Sequence, residues 1–229
     1  MTKIIFTAIF ILCALNTCKS FIFYQYGGKH KIKIDIGGIH ITCYERQSDE
    51  SIYEFFDEII RNRSEIVDIG CKLCLLNCSF PQHFSTITRG ILKPFRLFTK
   101  TNMKEITSQT FDETLNITSF NFLETKMSKI DENAFANLKD LQSLSIVDSK
   151  LSSLPEHIFK FNSRFKIFYM DKNRAKMKLK GKIFANLPAL KQVIFEDSNV
   201  ELLTDDVFLN SSNIEQINFR GNKLETIAM

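Results

Sequence analysis

The chain has 229 residues, of which 44% are hydrophobic and 24% are charged, and it contains 22 phenylalanines but no tryptophan. This composition can bury a sizeable core in one domain or in two small ones, and it excludes generic disorder. Four prolines and eight glycines exclude collagen-like and proline-rich classes, and a formal net charge of +4 is too mild to indicate a nucleic-acid binder. No apolar run reaches the ~18 residues that a membrane-spanning helix needs.

Residues 1–20 have the layout of a secretory signal peptide. Lys3 precedes an apolar stretch over 4–15, and a polar segment with small residues follows over 16–20. We therefore expect cleavage near Ser20. A buried first helix is the alternative, but the segment lacks the polar face that a surface helix needs.

The next segment predicts a hairpin followed by a helix. Alternating apolar residues over 32–36 and 39–43 flank Gly37 and Gly38, which indicates a two-residue turn between two strands. Ser51 and Glu54 form a capping-box pattern that opens a helix with an apolar stripe over 52–60. A core helix is favoured over a membrane-surface helix because the polar face has little basic character.

Four cysteines remain once the signal segment is removed: Cys43, Cys71, Cys74 and Cys78. An even number in an exported chain predicts two disulfides, with three connectivities that the sequence does not separate. The spacing over 71–78 is also compatible with metal ligands. However, no histidine pair lies nearby, so zinc or iron–sulfur ligation is the minor interpretation.

Four asparagines lie in N-x-S/T sequons: Asn62, Asn77, Asn116 and Asn210. An exported chain would be glycosylated there, least convincingly at Asn77 because Cys78 is its middle residue. With the signal segment and the cysteines, these sequons predict a secreted, extracellular glycoprotein.

An internal repeat dominates the rest of the chain. Phe111, Phe135, Phe159, Phe184 and Phe208 are separated by 24, 24, 25 and 24 residues. Aligned on these phenylalanines, the repeats begin at Lys93, Ile117, Leu141, Phe165, Leu190 and Ile214. A fixed period of this length is typical of stacked repeat architectures.

Four positions of the repeat share their chemistry, and only the first repeat, with Arg96 at position four, is irregular. Position four is Arg96, Phe120, Leu144, Phe168, Val193 and Ile217, and position six is Phe98, Phe122, Ile146, Met170, Phe195 and Phe219. Position nine is always Asn, Ser or Thr, and position eleven is apolar: Met103, Met127, Leu151, Ala175, Val200 and Leu224. Positions four and six predict one face of a short strand, and the polar side chain at position nine can bond to neighbouring backbone where the chain turns.

The stretch LQSLSIVDSKLSSLPEHIF, over 141–159, resembles the 24-residue repeat of extracellular leucine-rich-repeat proteins. The resemblance covers 93–229 and implies an α/β leucine-rich-repeat solenoid. Short parallel strands would line its concave face, and loops and short helical turns its convex face. Phe at position nineteen would close the core from the convex side as a stacked column. The Phe-rich, Lys- and Asn-rich style favours an invertebrate member.

The expected domain organisation has three parts. Residues 1–20 form the signal peptide, 21–92 form an N-terminal cap, and 93–229 form the solenoid with an incomplete last repeat. Because solenoid ends expose a hydrophobic cross-section, we interpret the hairpin, the helix and the cysteine cluster as a disulfide-stapled cap. This cap departs from the family's usual cysteine-rich flank in having a hairpin and a helix.

The repeat alignment predicts a binding surface on the concave face, at positions three, five and seven with position eight at the rim. The predicted protein-binding residues are Leu123, Glu124, Ser145, Val147, Asp148, Ile167, Tyr169, Asp171, Gln192, Ile194, Glu196, Gln216, Asn218 and Arg220. They combine an apolar cluster with an acidic edge, as protein interfaces do. Strand and turn propensities alone are the alternative explanation.

One repeat has a basic run. From Lys172 to Lys182 every even-numbered residue is Lys or Arg, which places the charges on one side of an extended segment. A solvated convex face is the favoured interpretation, and contact with an anionic glycan is the alternative.

These patterns predict a secreted, non-enzymatic recognition protein. No metalloprotease, hydrolase or phosphate-loop motif occurs, and we expect no cofactor, no metal and no nucleic acid. The expected partner is a protein ligand or co-receptor, and the family resemblance implies innate immunity among the roles. The alternatives are an adhesion or matrix protein and an ectodomain fragment of a Toll-like or other cell-surface receptor. An uncapped last repeat predicts either a longer natural product or an end-to-end dimer.

Overall fold

The computed structural model describes residues 22–26, 30–35, 38–43, 72–76, 95–100, 103–111, 116–224 and 226–228. The predicted signal peptide and the helix predicted to open at Ser51 lie outside these ranges. So do four of the predicted site residues: Asn62, Cys71, Asn77 and Cys78.

Short strands dominate the described part of the chain. In order they are β1 (Ile22–Tyr26), β2 (His30–Asp35), β3 (Gly38–Cys43), β4 (Lys72–Leu76), β5 (Phe95–Lys100), β6 (Glu105–Ile106), β7 (Ile117–Leu123), β8 (Lys129–Ile130), β9 (Ser143–Val147), β10 (Ile167–Asp171), β11 (Met177–Leu179), β12 (Gln192–Glu196), β13 (Val200–Thr204), β14 (Gln216–Asn218) and β15 (Thr226–Ala228). A 3-10 helix, Asp205–Phe208, follows β13.

Ten of the described strands form one sheet in the order β1-β2-β3-β4-β5-β7-β9-β10-β12-β14. β1, β2 and β3 pair antiparallel, and every pair from β3 onwards is parallel. β2 and β3 form the hairpin that the alternating pattern predicts, with Ile34 opposite Ile39. Gly38 pairs with Asp35, so it already belongs to β3 and not to the turn as predicted.

The parallel ladder extends upstream of residue 93. β4 pairs with β5 at a spacing of 24 residues, Lys72 opposite Arg96, which is the repeat period seen farther along the chain. Cys74 lies within β4, opposite Phe98, and Cys43 is the last residue of β3. The division into cap and solenoid at residue 93 therefore crosses a continuous sheet, and it stays a prediction.

The predicted alignment of the first repeat is wrong by one residue. Arg96 pairs with Ser119 and Phe98 with Asn121, so neither occupies the register of positions four and six. The register shifts between Phe95 and Arg96. Arg96 is exposed whereas Thr99 is fully buried. A one-residue shift turns every side chain to the other face of a strand, and it keeps a guanidinium out of the core.

The predicted phenylalanine column is confirmed. Successive ring centroids from Phe111 to Phe208 are 6.4, 5.9, 5.8 and 5.8 Å apart, and the last three pairs are stacked. The first four of these rings are at most 1% exposed. Each ring therefore buries its faces against the same residue of the neighbouring repeats, which explains why one residue type recurs at this spacing.

The two asparagines at position nine bond to the backbone of adjacent repeats, as predicted, whereas the buried hydroxyl of Thr125 has no hydrogen-bond partner among the described residues. Buried Asn173 accepts from the backbone N of Leu151 at 2.8 Å and donates to the carbonyls of Leu151 and Ala175, both at 2.8 Å. Asn222 accepts from Val200 N at 3.0 Å and donates to Phe195 O at 2.7 Å. These bonds satisfy backbone groups that the turn leaves without a ladder partner.

The convex side has less helix than the α/β prediction implies. The described residues there form two small parallel sheets, β6-β8 and β11-β13-β15, and a four-residue 3-10 helix. The architecture is therefore a parallel β-solenoid with turns on its convex side.

In the last repeat, inward positions are less covered than elsewhere. Ile217 is 49% exposed and Phe219 is half-buried, whereas their equivalents Val193 and Phe195 are fully buried. Next to them, Phe208 is half-buried and Leu203 is 9% exposed.

Candidate functional site

Strict alternation positions the predicted binding face. In β9, β10 and β12 the second and fourth residues are buried, and the first, third and fifth are half-buried. Successive side chains of a strand point to opposite sides, so the half-buried residues face away from the phenylalanine core. We call this side of the large sheet the concave face.

The strand register arranges the concave residues in three rows. The rows are Ser119-Ser143-Ile167-Gln192-Gln216, Asn121-Ser145-Tyr169-Ile194-Asn218 and Leu123-Val147-Asp171-Glu196. Side chains paired across parallel strands are close enough to form one contact surface. The structure thus brings the predicted residues together, although Glu124, Gln216 and Arg220 are more exposed than the others.

Five apolar residues lie together on this face: Leu123, Val147, Ile167, Tyr169 and Ile194. Leu123 pairs with Val147, and Tyr169 pairs directly with Ile194. All five are half-buried, so they cover one another in part while their outer surfaces stay open. Contiguous apolar side chains on an uncovered sheet face are less common than scattered ones and are typical of interaction sites.

Tyr169 has a defined polar environment. Its Oη lies 3.5 Å from Glu196 Oε2, and Asn218 Nδ2 donates to Glu196 Oε1 at 2.8 Å. Burial first, and then the nearby carboxylates of Asp171 and Glu196, raise the pKa of Tyr169 above its ordinary value. At neutral pH the phenol is therefore protonated and donates toward Glu196.

The rim of the concave face has one backbone conformation. The residue after each of four strands is left-handed: Glu124, Asp148, Lys172 and Asp197 have φ of 50, 59, 54 and 44°. Each donates its N–H to the next repeat, as Asp148 does to Asp171 O at 2.9 Å. Asp and Gly tolerate this region best, whereas other side chains cost ~1 kcal/mol or more. The tolerance of Asp for this backbone conformation therefore explains part of the acidic character of the rim.

The rim charges are partly neutralised by cations that the predicted set of protein-binding residues did not include. Glu124 pairs with Lys100 at 2.6 Å, and Asp148 accepts two bonds from Arg174 at 2.5 and 2.7 Å. Asp171 Oδ2 lies 3.9 Å from Lys172 Nζ, so the acidic edge is concentrated on Glu196 and Asp197. Arg174 follows the position-nine asparagine, a place with Lys in three other repeats, and that pattern could have revealed it.

An open groove of about 570 Å³ runs along this rim. It is lined by Glu124, Val147, Asp148, Lys172, Asn173, Arg174, Asp197 and Asn199. Most of these side chains are charged or amides, and both signs of charge are present. Such a groove suits polar segments of a larger partner better than an apolar small molecule.

The modification sites are described in part. Asn210 is exposed, has φ of 58° and donates to Asn186 Oδ1 at 3.0 Å, whereas Asn116 is half-buried at the start of β7. The disulfides and the glycans stay predictions. Among the described residues no cluster of His, Cys, Asp or Glu could hold a metal ion, and no described helix could cross a membrane.

The parallel strands, the asparagine bonds and the phenylalanine column define a leucine-rich-repeat solenoid. Residues 92–215 match the BspA-type leucine-rich-repeat region in six copies, which is more than half of the chain. The chain belongs to this leucine-rich-repeat family. No curated protein matches it.

Solved structures with a similar chain path include the Toll–Spatzle complex, described as a molecular hub in Drosophila development and innate immunity. That match has 16% identity and a TM-score of 0.44, and it covers 94% of this chain and 42% of the other. The glycosylated form of the same complex matches with 15% identity and the same TM-score of 0.44. This chain thus spans about two fifths of the length of the solved chains that it matches.

Proposed function

We propose that this chain is a secreted, non-enzymatic recognition protein that binds a protein partner through its concave face. The signal-like segment over 1–20, the even number of cysteines that remain after it and the four sequons support secretion. Membership of a leucine-rich-repeat family supports recognition, because stacked repeats expose an extended sheet for binding. A role in innate immunity is part of this proposal and rests on the family resemblance of the sequence.

The observation that carries the proposal is the apolar cluster beside concentrated negative charge. Tyr169 and Ile194 form the centre of the cluster, and Glu196 lies directly behind the phenol. Aromatic and aliphatic anchors with a polar surround are the usual composition of protein interfaces. A partner that covered this face would remove both apolar surfaces from water and would gain charged hydrogen bonds at the acidic edge.

The test compares one concave variant with one matched convex variant. Ile194→Glu places a charge in the centre of the cluster, and Leu209→Glu makes the same change at a residue that is 43% exposed outside the sheet. Each glycosylated chain is immobilised on a solid support and exposed to extracellular fluid of the source organism. The retained proteins are identified by mass spectrometry. Proteins retained by the native chain and by Leu209→Glu should be lost with Ile194→Glu.

The affinity of a purified partner should fall at least about tenfold with Ile194→Glu, since central anchors dominate binding energy. Circular dichroism checks that both variants are folded. The proposal is wrong if folded Ile194→Glu retains the same proteins as the native chain, or if Leu209→Glu loses as many.

A further inference from the structure

The basic run in the fourth repeat lies outside the concave face and is unusually accessible. Lys172, Arg174, Lys176, Lys178, Lys180 and Lys182 are all exposed. The residues between them include buried Asn173, Met177 and Leu179, so the flanking cations point to solvent. The alternation anchors the backbone in the core and directs the cations to solvent.

The register explains why this repeat differs from its neighbours. Position nine is Asn173 here and Ser198 in the next repeat, yet Met177 pairs with Val200. The predicted alignment of Ala175 with Val200 is therefore wrong. Two extra residues loop out between Asn173 and Met177, and the register shifts back by one residue between Met177 and Lys178, which leaves this repeat one residue longer than its neighbours. Asn173 Nδ2 holds the loop through Ala175 O at 2.8 Å. Arg174 and Lys176 project from this loop.

Carboxylates near the run compensate only part of its charge. Asp148 pairs with Arg174, and Glu201 pairs with Lys176 at 2.8 Å. The hydrogen bond from Lys176, and then the charges of Lys176, Lys178 and Lys223, lower the pKa of Glu201. A single carboxylate thus lies near three ammonium groups.

Farther along the segment the carboxylate of Glu156 lies against Gly181. Lys178, Lys180 and Lys182 form no ion pair with any residue that the structure describes. We call the following set the basic face: Lys150, Arg174, Lys176, Lys178, Lys180, Lys182 and Lys223.

We propose that the basic face binds a linear anionic polysaccharide that carries sulfate or carboxylate groups. Cations at alternate residues of an extended segment are ~6.8 Å apart. Leu202 lies opposite Lys178 in the next repeat, so the ammonium groups are closely spaced along the segment. The face therefore presents a row of ammonium groups to a chain with regularly spaced anions. Multiple weak ion pairs of this kind add up and depend on salt.

A polysaccharide fits the composition of this face better than a nucleic acid does. No aromatic residue occurs between Lys172 and Lys182, so no base could stack there. The choice of a polysaccharide as the source of the anions rests on the extracellular location proposed above. The apolar cluster of the concave face shares no residue with the basic face, whereas Arg174 of the basic face is bound to Asp148 at the concave rim.

The test measures binding of the purified, glycosylated chain to heparin as a sulfated probe, at ~0.15 M salt. Lys178→Gln/Lys180→Gln/Lys182→Gln removes three charges from the basic face. Lys139→Gln/Lys166→Gln/Lys191→Gln removes the same charge from the opposite edge, where the chain enters the strands. The first variant should weaken heparin binding about tenfold to a hundredfold, because each ammonium near a dense anionic surface contributes about fivefold. The second should weaken it less than about twofold, through long-range charge alone.

Three results would overturn the proposal: no heparin binding by the native chain, equal weakening by the two triple variants, or equal retention of uncharged dextran. Tighter binding of a single-stranded DNA of matched charge would also overturn it, in favour of a nucleic-acid surface. Ile194→Glu should keep full heparin affinity. The experiments therefore distinguish a failure of the concave-face proposal from a failure of the polysaccharide proposal.

Discussion

At the scale of single residues, environment rather than residue type gives the concave face its chemistry. Tyr169 would be an ordinary half-exposed tyrosine without Glu196 beside its hydroxyl and Asp171 on its own strand. Asn218 holds the Glu196 carboxylate from the adjacent strand at 2.8 Å, so the acceptor is oriented before any partner arrives. An oriented group loses less conformational entropy on binding than a mobile one.

The phenol of Tyr169 should titrate above the ordinary tyrosine value of about 10. Because its folded-state pKa is raised, the associated stability is fully present below the unfolded value and is lost as pH rises through the folded pKa. Tyrosinate absorbance during alkaline titration, with Tyr169→Phe as the subtraction, measures this pKa. Glu196→Gln should lower it, since a nearby negative charge is removed. Glu215→Gln is the control, and an equal shift from both variants would refute the local explanation.

At the scale of secondary-structure elements, each repeat is stabilised mainly by its two neighbours. The rings of Phe135 and Phe184 stack on opposite sides of Phe159, at 5.9 and 5.8 Å, and the asparagine bonds link adjacent turns. A defect in the column should therefore be felt by three repeats at once.

Phe159→Leu should lower the free energy of unfolding by about 1–3 kcal/mol, because it removes ring contacts from a fully packed site. Phe161→Leu is the matched control, because Phe161 is 45% exposed. Within the described residues its ring stacks on no other ring and lies only beneath the ammonium groups of Lys139 and Lys160. That change should cost under about 1 kcal/mol. Urea denaturation distinguishes the two, and equal losses would mean that the column adds nothing beyond local hydrophobicity.

At the scale of the whole molecule, charge is distributed unevenly around the solenoid. Negative charge is concentrated on the concave face at Glu196 and Asp197, and positive charge on the basic face. The formal net charge of +4 conceals this separation. Two surfaces of opposite sign favour partners of opposite chemistry, and each attraction weakens as salt rises.

Expression in a secretory host tests the proposed extracellular location of the whole chain. The purified product should begin near residue 21, lack free thiols at its four cysteines and carry a glycan on exposed Asn210. Asn210→Gln should remove the mass of one glycan, as measured by intact mass spectrometry. An intact Met1, or four free thiols, would contradict secretion.

The repeat period, the phenylalanine column and the alternating concave residues could all be predicted from the sequence. Equivalent positions of successive repeats have the same burial and the same neighbours, so they select the same kinds of residue. The register of Arg96 could not, since the shift after Phe95 depends on which side chain the neighbouring strand accepts. Nor could the neutralisation of Glu124 and Asp148, because ion pairs depend on side-chain conformations. The scarcity of helix on the convex side could not be predicted either, because the turn residues there are compatible with several short conformations.

The looped-out residues between Asn173 and Met177 have a practical consequence for protein engineering. Their ends are fixed, by the asparagine bonds on one side and by the pairing of Met177 with Val200 on the other, while the residues between touch solvent. Lengthening such a loop costs little, because closure entropy grows only with the logarithm of loop length. The solenoid thus has a natural insertion point for an epitope or a reporter peptide, although a peptide placed there would displace Arg174 and Lys176 of the basic face while it leaves the apolar cluster on the sheet in place.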